Sequence, residues 1–130
     1  MSSLGFLQKG RFAILKKLGE GGKGIVHKAR DTVLNRVVAV KMLKSEAPSD
    51  ETYSRFMRET QAAAKLNHPN VVSIYDVGRE DGKQFFVIEF IDEVSLRSLI
   101  ATYPEGKCDT QTVLRIGLDV CSALQYAQQP

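Results

Sequence analysis

The chain has 130 residues, 43% hydrophobic and 25% charged, which makes it one domain's worth of sequence or less and excludes general disorder. Eighteen basic against 15 acidic residues leave a formal net charge of +3, too mild to point to nucleic acid or to a membrane surface. No stretch approaches the roughly 18 consecutive apolar residues of a membrane span, and the opening MSSLGFLQKG lacks the basic start and apolar core of a secretory leader. The two cysteines, Cys108 and Cys121, are not a CxxC pair, and His27 and His68 are the only histidines. They read as free thiols of a reducing, cytoplasmic setting, and no metal site is expected.

After an N-terminal extension over residues 1–10, RFAILKKLG (11–19) reads as a strand that runs into glycine. IVHKARD (25–31) and RVVAVKML (36–43) read as the next two strands, joined through TVLN. Side chains alternate along a strand, so Val38 and Val40 point one way and Ala39 and Lys41 the other. The period then changes. Ser49 or Asp50 caps a predicted helix from about residue 51 to 66, with Phe56, Thr60 and Ala63 on one stripe and Met57 and Ala64 beside it. Pro69 disfavours helical geometry at His68 and ends the helix near Asn67. VVSIYDVG and QFFVIEF are two further strands, and the Asp-Gly of the intervening REDGK suits a tight hairpin. Past Phe90 a short helix is predicted over about 95–102 and a long one over about 110–128, capped by Asp109. In the long helix Val113, Leu114, Ile116, Leu118, Val120, Leu124 and Tyr126 occupy most of the circumference, and Arg115, Asp119 and Ser122 form one narrow polar stripe. A helix apolar nearly all round is built to be buried.

Gly19, Gly21 and Gly24 satisfy G-x-G-x-x-G, which alone is a weak signal with several owners. A dinucleotide fingerprint must open a helix, whereas IVHKAR has a strand pattern. A Walker A loop must end in Gly-Lys-Ser/Thr, and Gly24 is followed by Ile25. A glycine-rich hairpin without a ligand is a third reading. The fourth is a flap over phosphates between two antiparallel strands. Glycines lack a β-carbon, so the backbone can approach phosphate oxygens and present N–H groups. Such a flap needs a cation to hold the phosphates, which Lys41 supplies on the next strand, and a carboxylate to position that cation, which Glu59 supplies on the following helix. The set GxGxxGxV, AxK and a helical glutamate is far more specific than any member.

With LGEGGKGIVHKARD, VAVKML, RFMRETQAAAKLNHPNVVSIYDVG, FFVIEFIDEVSLRSLI and ALQYAQQ in order, essentially the whole chain from about Arg11 resembles the N-terminal lobe of eukaryotic-type protein kinases, most of all the bacterial serine/threonine members. The resemblance implies an α+β fold: a five-stranded antiparallel sheet with helix C over residues 11–92, then two helices of a truncated C-lobe over 93–130. It implies that Gly19, Gly21 and Gly24, with Glu20 and Gly22 between them, cover the phosphates of ATP. Lys41 would contact the α- and β-phosphates and pair with Glu59. Leu18, Val26 and Ala39 would sandwich the adenine, Ile88 would be the gatekeeper, and Glu89 and Ile91 would offer backbone groups to the adenine edge, with Asp92 and Ser95 near the ribose. Lys23 and His27 depart from the family pattern, and Lys23 is either a solvated tip residue or a cation for the γ-phosphate. His68 would sit in a structural turn.

Neither H-R-D-x-x-x-x-N nor D-F-G occurs in the chain, so the hydroxyl-orienting residue and the ligands of Mg2+ that the family uses are absent from it. The expected function is the ATP-binding portion of a serine/threonine kinase that phosphorylates protein substrates, inactive by itself. The alternative is a non-catalytic, pseudokinase-like binding or scaffolding module. The apolar stripe of the long helix, including Leu114, Leu118 and Leu124, is expected to lie exposed or in a non-native contact and to drive self-association.

Overall fold

The structure is a computed structural model that describes residues 5–22, 24–46 and 49–128. Along the chain it runs β1 (Gly5–Leu7), β2 (Phe12–Gly21), β3 (Gly24–Asp31), β4 (Arg36–Glu46), α1 (Asp50–Ala64), β5 (Ile74–Glu80), β6 (Lys83–Glu89), α2 (Leu96–Ala101), a 3-10 turn at Pro104–Gly106 and α3 (Thr110–Ala127). Two units result: the chain up to Leu66 with Ser73–Phe90, and Asn67–Val72 with the chain from Ile91 on.

The first unit is an antiparallel sheet in the order β1-β2-β3-β4-β6-β5. The five expected strands are all present. A sixth, β1, comes from the segment read as an extension and pairs with the start of β2, Leu7 opposite Phe12. The hairpins follow from local chemistry. Asp81 and Gly82 take φ of 51° and 79°, the left-handed pair that a two-residue turn between right-twisted strands demands. After β3 the carboxylate of Asp31 accepts from the N–H of Val33 and Leu34 (3.0 and 3.1 Å), which closes the Thr-Val-Leu-Asn connection.

The core lies on one face of this sheet. Leu7, Phe12, Ala29, Val38, Val40, Phe85 and Val87 are all buried there, with Ile14 and Met42 packed against them. Cross-strand pairing joins them: Ile14 opposes Ala29, Ala29 opposes Val38, and Val40 opposes Val87. The alternate residues point to the other face, where α1 packs through Phe56 on Phe86, ring centres 5.1 Å apart. Ser49 caps α1 by accepting from Thr52 N–H, and Asp50 and Glu51 in its first turn suit the helix dipole. The helix ends at Ala64, two residues earlier than expected, because Lys65 and Leu66 donate to Ala62 and Ala63 in a tightened last turn. Thr60 is its one buried residue, and Ala63, predicted on the packed stripe, is exposed.

In the second unit Ser95 caps α2 and Asp109 caps α3, accepting from Ser98 and Thr112 N–H at 3.1 and 3.0 Å. The segment Asn67–Val72 is bound to the polar stripe of α3. Asn67 N–H donates to Tyr126 Oη (2.9 Å) and Asn70 Nδ2 to the Asp119 carbonyl (3.0 Å). His68 Nδ1 accepts from Asn70 N–H, so its proton sits on Nε2, which donates to Ser122 Oγ at 3.1 Å. His68 thus has the structural role expected of it. These ties explain why β5 begins only at Ile74, although Val71 and Val72 have strand character. The apolar side of α3 is uncovered: no described residue of the helix is buried, and Leu114, Leu118 and Leu124 are 60, 71 and 56% exposed.

Candidate functional site

Alternation and register decide which sequence-predicted residues meet. Across β2 and β3, Gly19 opposes Val26 and Gly21 opposes Gly24. Across β3 and β4, Val26 opposes Lys41. Across β4 and β6, Ala39 opposes Ile88 and Lys41 opposes Phe86. Directly opposed residues share a face, so Gly19, Gly21, Gly24, Val26, Ala39, Lys41 and Ile88 gather on the face that carries α1, away from the core. Ala39 is buried, and Val26, Lys41 and Ile88 are half-buried. This is an apolar floor with one ammonium on it.

The glycines divide into two kinds. A β-carbon on Gly24 would collide with the Met42 carbonyl of β4, so glycine there is a packing requirement of the sheet. Gly19, Gly21 and Gly22 have open space where a side chain would stand. Their backbone lies bare, as the close approach of a large anion requires. Lys23, and with it both readings of that residue, lies outside the described residues. Leu18 falls at a register shift between Lys17 and Gly19, has no cross-strand partner, and is 42% exposed.

The remaining predicted residues are placed less simply. Among the described residues Lys41 and Glu59 form no ion pair: α1 turns Phe56, Met57 and Thr60 toward the sheet and leaves Glu59 exposed. The side chain of Glu20 does not lie on the face of Lys41. Glu20 opposes Ile25 on the core-bearing face, where it pairs with Lys17 and, at 3.1 Å, with Lys44. Hydrogen bonds from Lys17 first, then from Lys44, lower its carboxyl to about 2. Glu89 N–H is committed to the Ser73 carbonyl at 2.9 Å, and Glu89 Oε1 accepts from Ser73 N–H at 3.1 Å. Ile91 and Asp92 are exposed in the second unit, where the Ser95 hydroxyl serves as a helix cap. Phe90 lies under Lys28, whose ammonium is 5.0 Å from the ring centre. His27 opposes Lys17, and burial first, then that lysine, lowers its pKa.

Sequence reasoning missed the Lys17–Glu20–Lys44 group and the Arg11–Asp31 pair. Residues three apart on a regular strand face opposite ways, so Lys17 and Glu20 carried no signal of meeting. The signal for Arg11 and Asp31 was weaker still, since it needed the exact β2–β3 register. Among the described residues no three His, Cys, Asp or Glu side chains gather to hold a metal, and no helix is long and apolar enough to cross a membrane. The nucleotide-like part of the expected site therefore fits the residues present, and the Mg2+ part does not.

Comparison with known proteins bears on this face directly. The sequence model described as the protein kinase domain matches residues 12–129. The chain is 38% identical over 121 residues to the serine/threonine-protein kinase PrkC of Bacillus subtilis, covering 92% of this chain and 18% of that protein. It is 39% identical over 124 residues to the serine/threonine-protein kinase PknB of Mycobacterium leprae, covering 92% of this chain and 20% of that one. Among solved structures, the PknI kinase domain of Mycobacterium tuberculosis superposes with a TM-score of 0.82 at 28% identity, over 98% of this chain and 50% of that domain. The chain thus spans about a fifth of the curated relatives and half of the solved domain.

Proposed function

The chain belongs to the protein kinase family, and from that premise we propose that its first unit is the ATP-binding part of a serine/threonine kinase, one that transfers the γ-phosphoryl of Mg-ATP to hydroxyls of protein substrates. The observation that carries the reading is the shared face: bare backbone at Gly19 and Gly21, apolar Val26, Ala39 and Ile88, and the Lys41 ammonium between them. Adenine would lie on Val26 and Ala39 against Ile88, with Leu18 closing over it and the backbone of Glu89 at its edge. The phosphates would lie under the flap, Gly19, Gly21 and Gly24 with Glu20 and Gly22 between them, and be held by Lys41. Glu59 would reach Lys41 once α1 turns inward.

Phosphoryl transfer also needs a group to orient the acceptor hydroxyl and ligands for magnesium. The residues of this chain supply neither, so by itself it would bind ATP and transfer nothing. Its setting would be the cytoplasm, where ATP and reduced thiols coincide. A second copy of the chain would be a partner through the exposed face of α3. One observation favours the second reading, a non-catalytic pseudokinase-like module: among the described residues Lys41 and Glu59 do not pair.

Titration of the chain with ATP, for wild type and Lys41→Met, tests the first reading. Weak binding that falls about tenfold or more in Lys41→Met supports it, and equal binding by the two sinks it. Turnover of Mg-ATP onto a protein by this chain alone, abolished by Lys41→Met, would overturn the statement that it is inactive.

A further inference from the structure

We propose that Glu20 is a positioning residue for the glycine flap: its carboxylate, held between Lys17 and Lys44, ties the β2–β3 hairpin to β4 and sets the backbone of Gly19, Gly21 and Gly22 in the shape that meets phosphate. The inference rests on the nucleotide-binding reading and deepens it. It starts from the bulge. A regular strand would point Lys17 and Glu20 to opposite faces, but the shift in register around Leu18 brings both to the core-bearing face, Lys17 opposite His27 and Glu20 opposite Ile25. There one carboxylate bridges two strands, Lys17 on β2 itself and Lys44 on β4 at 3.1 Å.

The placement matters because little else holds the flap. Gly19, Gly21 and Gly22 make no side-chain contacts, and open space surrounds them. Glu20 is the one residue among Gly19–Gly22 with a side chain, and it lies between the two glycines whose backbone the phosphates would approach. It acts from the back of the sheet and leaves the front free, so it touches no substrate and shapes the backbone that does. An isolated exposed ion pair has a small effect. A carboxylate shared by two lysines, one of them on the neighbouring strand, restrains a hinge that glycine otherwise leaves loose.

The test uses the whole chain with variants Glu20→Gln, Lys44→Met and the double. Amide hydrogen exchange at Gly21, Gly22 and Gly24 is read without nucleotide, and affinities are measured for ATP and for adenosine. We expect Glu20→Gln to speed flap exchange severalfold and to weaken ATP about threefold, with adenosine unchanged. Lys44→Met should do the same, the double variant should be no worse than either single, and 1 M salt should erase the differences by screening. Unchanged flap exchange in Glu20→Gln, or losses that add in the double variant, would overturn the proposal. If wild type binds neither ATP nor adenosine, the nucleotide reading falls, and flap exchange alone decides whether Glu20 orders the hairpin.

Discussion

Asp31 shows how much one side chain can hold. It is 1% exposed, and its carboxylate takes a two-pronged contact from Arg11, at 3.2 Å from Nε and 3.0 Å from Nη2, while accepting from the N–H of Val33 and Leu34. One carboxylate therefore binds the start of β2 to the β3–β4 turn. The hydrogen bond from Arg11, outweighing the cost of burial, holds its pKa below the ordinary 3.8. A depressed carboxylate stabilises the fold above its unfolded pKa, and that stability is lost as pH falls through the folded value. Asp31→Asn keeps the shape but removes the charge, leaving Arg11 short of a partner, and should cost about 3 kcal/mol near pH 7. Urea unfolding at pH 7 and at successive values below 4 checks both parts: the gap between wild type and variant should narrow as acid protonates Asp31. A gap that stays constant would show that the charge is not what matters.

At the scale of elements, the flap hairpin separates two uses of glycine that look identical in the motif. Gly24→Ala pushes a β-carbon into the Met42 carbonyl, so β3 and β4 must part, at about 1–3 kcal/mol. Gly19→Ala and Gly21→Ala meet open space. They should leave the thermal midpoint nearly unchanged and weaken ATP instead, because a methyl group would stand where phosphate approaches. Melting curves beside ATP titrations of the three variants decide this, and a Gly19→Ala variant that unfolds as early as Gly24→Ala would remove the distinction. The same hairpin shows what could be read beforehand. The common face of Val26, Ala39 and Lys41 followed from period 2 alone, because β3 and β4 pair without interruption from Gly24 to Asp31. Glu20 could not be placed, because a single unpaired residue at Leu18 reverses the parity of everything after it. The caps of α1, α2 and α3 were legible because Ser49, Ser95 and Asp109 act within three residues of themselves. Which side of α1 meets the sheet was not. Phe56 on Phe86 is a contact between distant segments, and it turns Thr60 inward while Ala63 and Glu59 stay out.

At the scale of the molecule, α3 carries an imbalance that the described residues do not resolve. Its polar stripe is in use: Asp119, Ser122 and Tyr126 hold Asn67, His68 and Asn70. Its apolar side is not, since Val113, Leu114, Leu118, Val120 and Leu124 are all more than half exposed. These five spread over several helical rows and so make a broad patch of the kind that draws a partner. The chain should therefore self-associate with rising concentration and enhance the fluorescence of an apolar dye. A triple variant, Leu114→Gln with Leu118→Gln and Leu124→Gln, should lose both properties. It should keep its helix, because exposed substitutions away from caps and contacts typically shift stability by no more than about 0.5 kcal/mol each. Sedimentation velocity across a concentration series, with dye titration and far-ultraviolet circular dichroism on the same samples, reads all three. A wild-type chain that stays monomeric at high concentration and leaves the dye dark would mean that α3 is covered in solution by contacts its present exposure does not reveal.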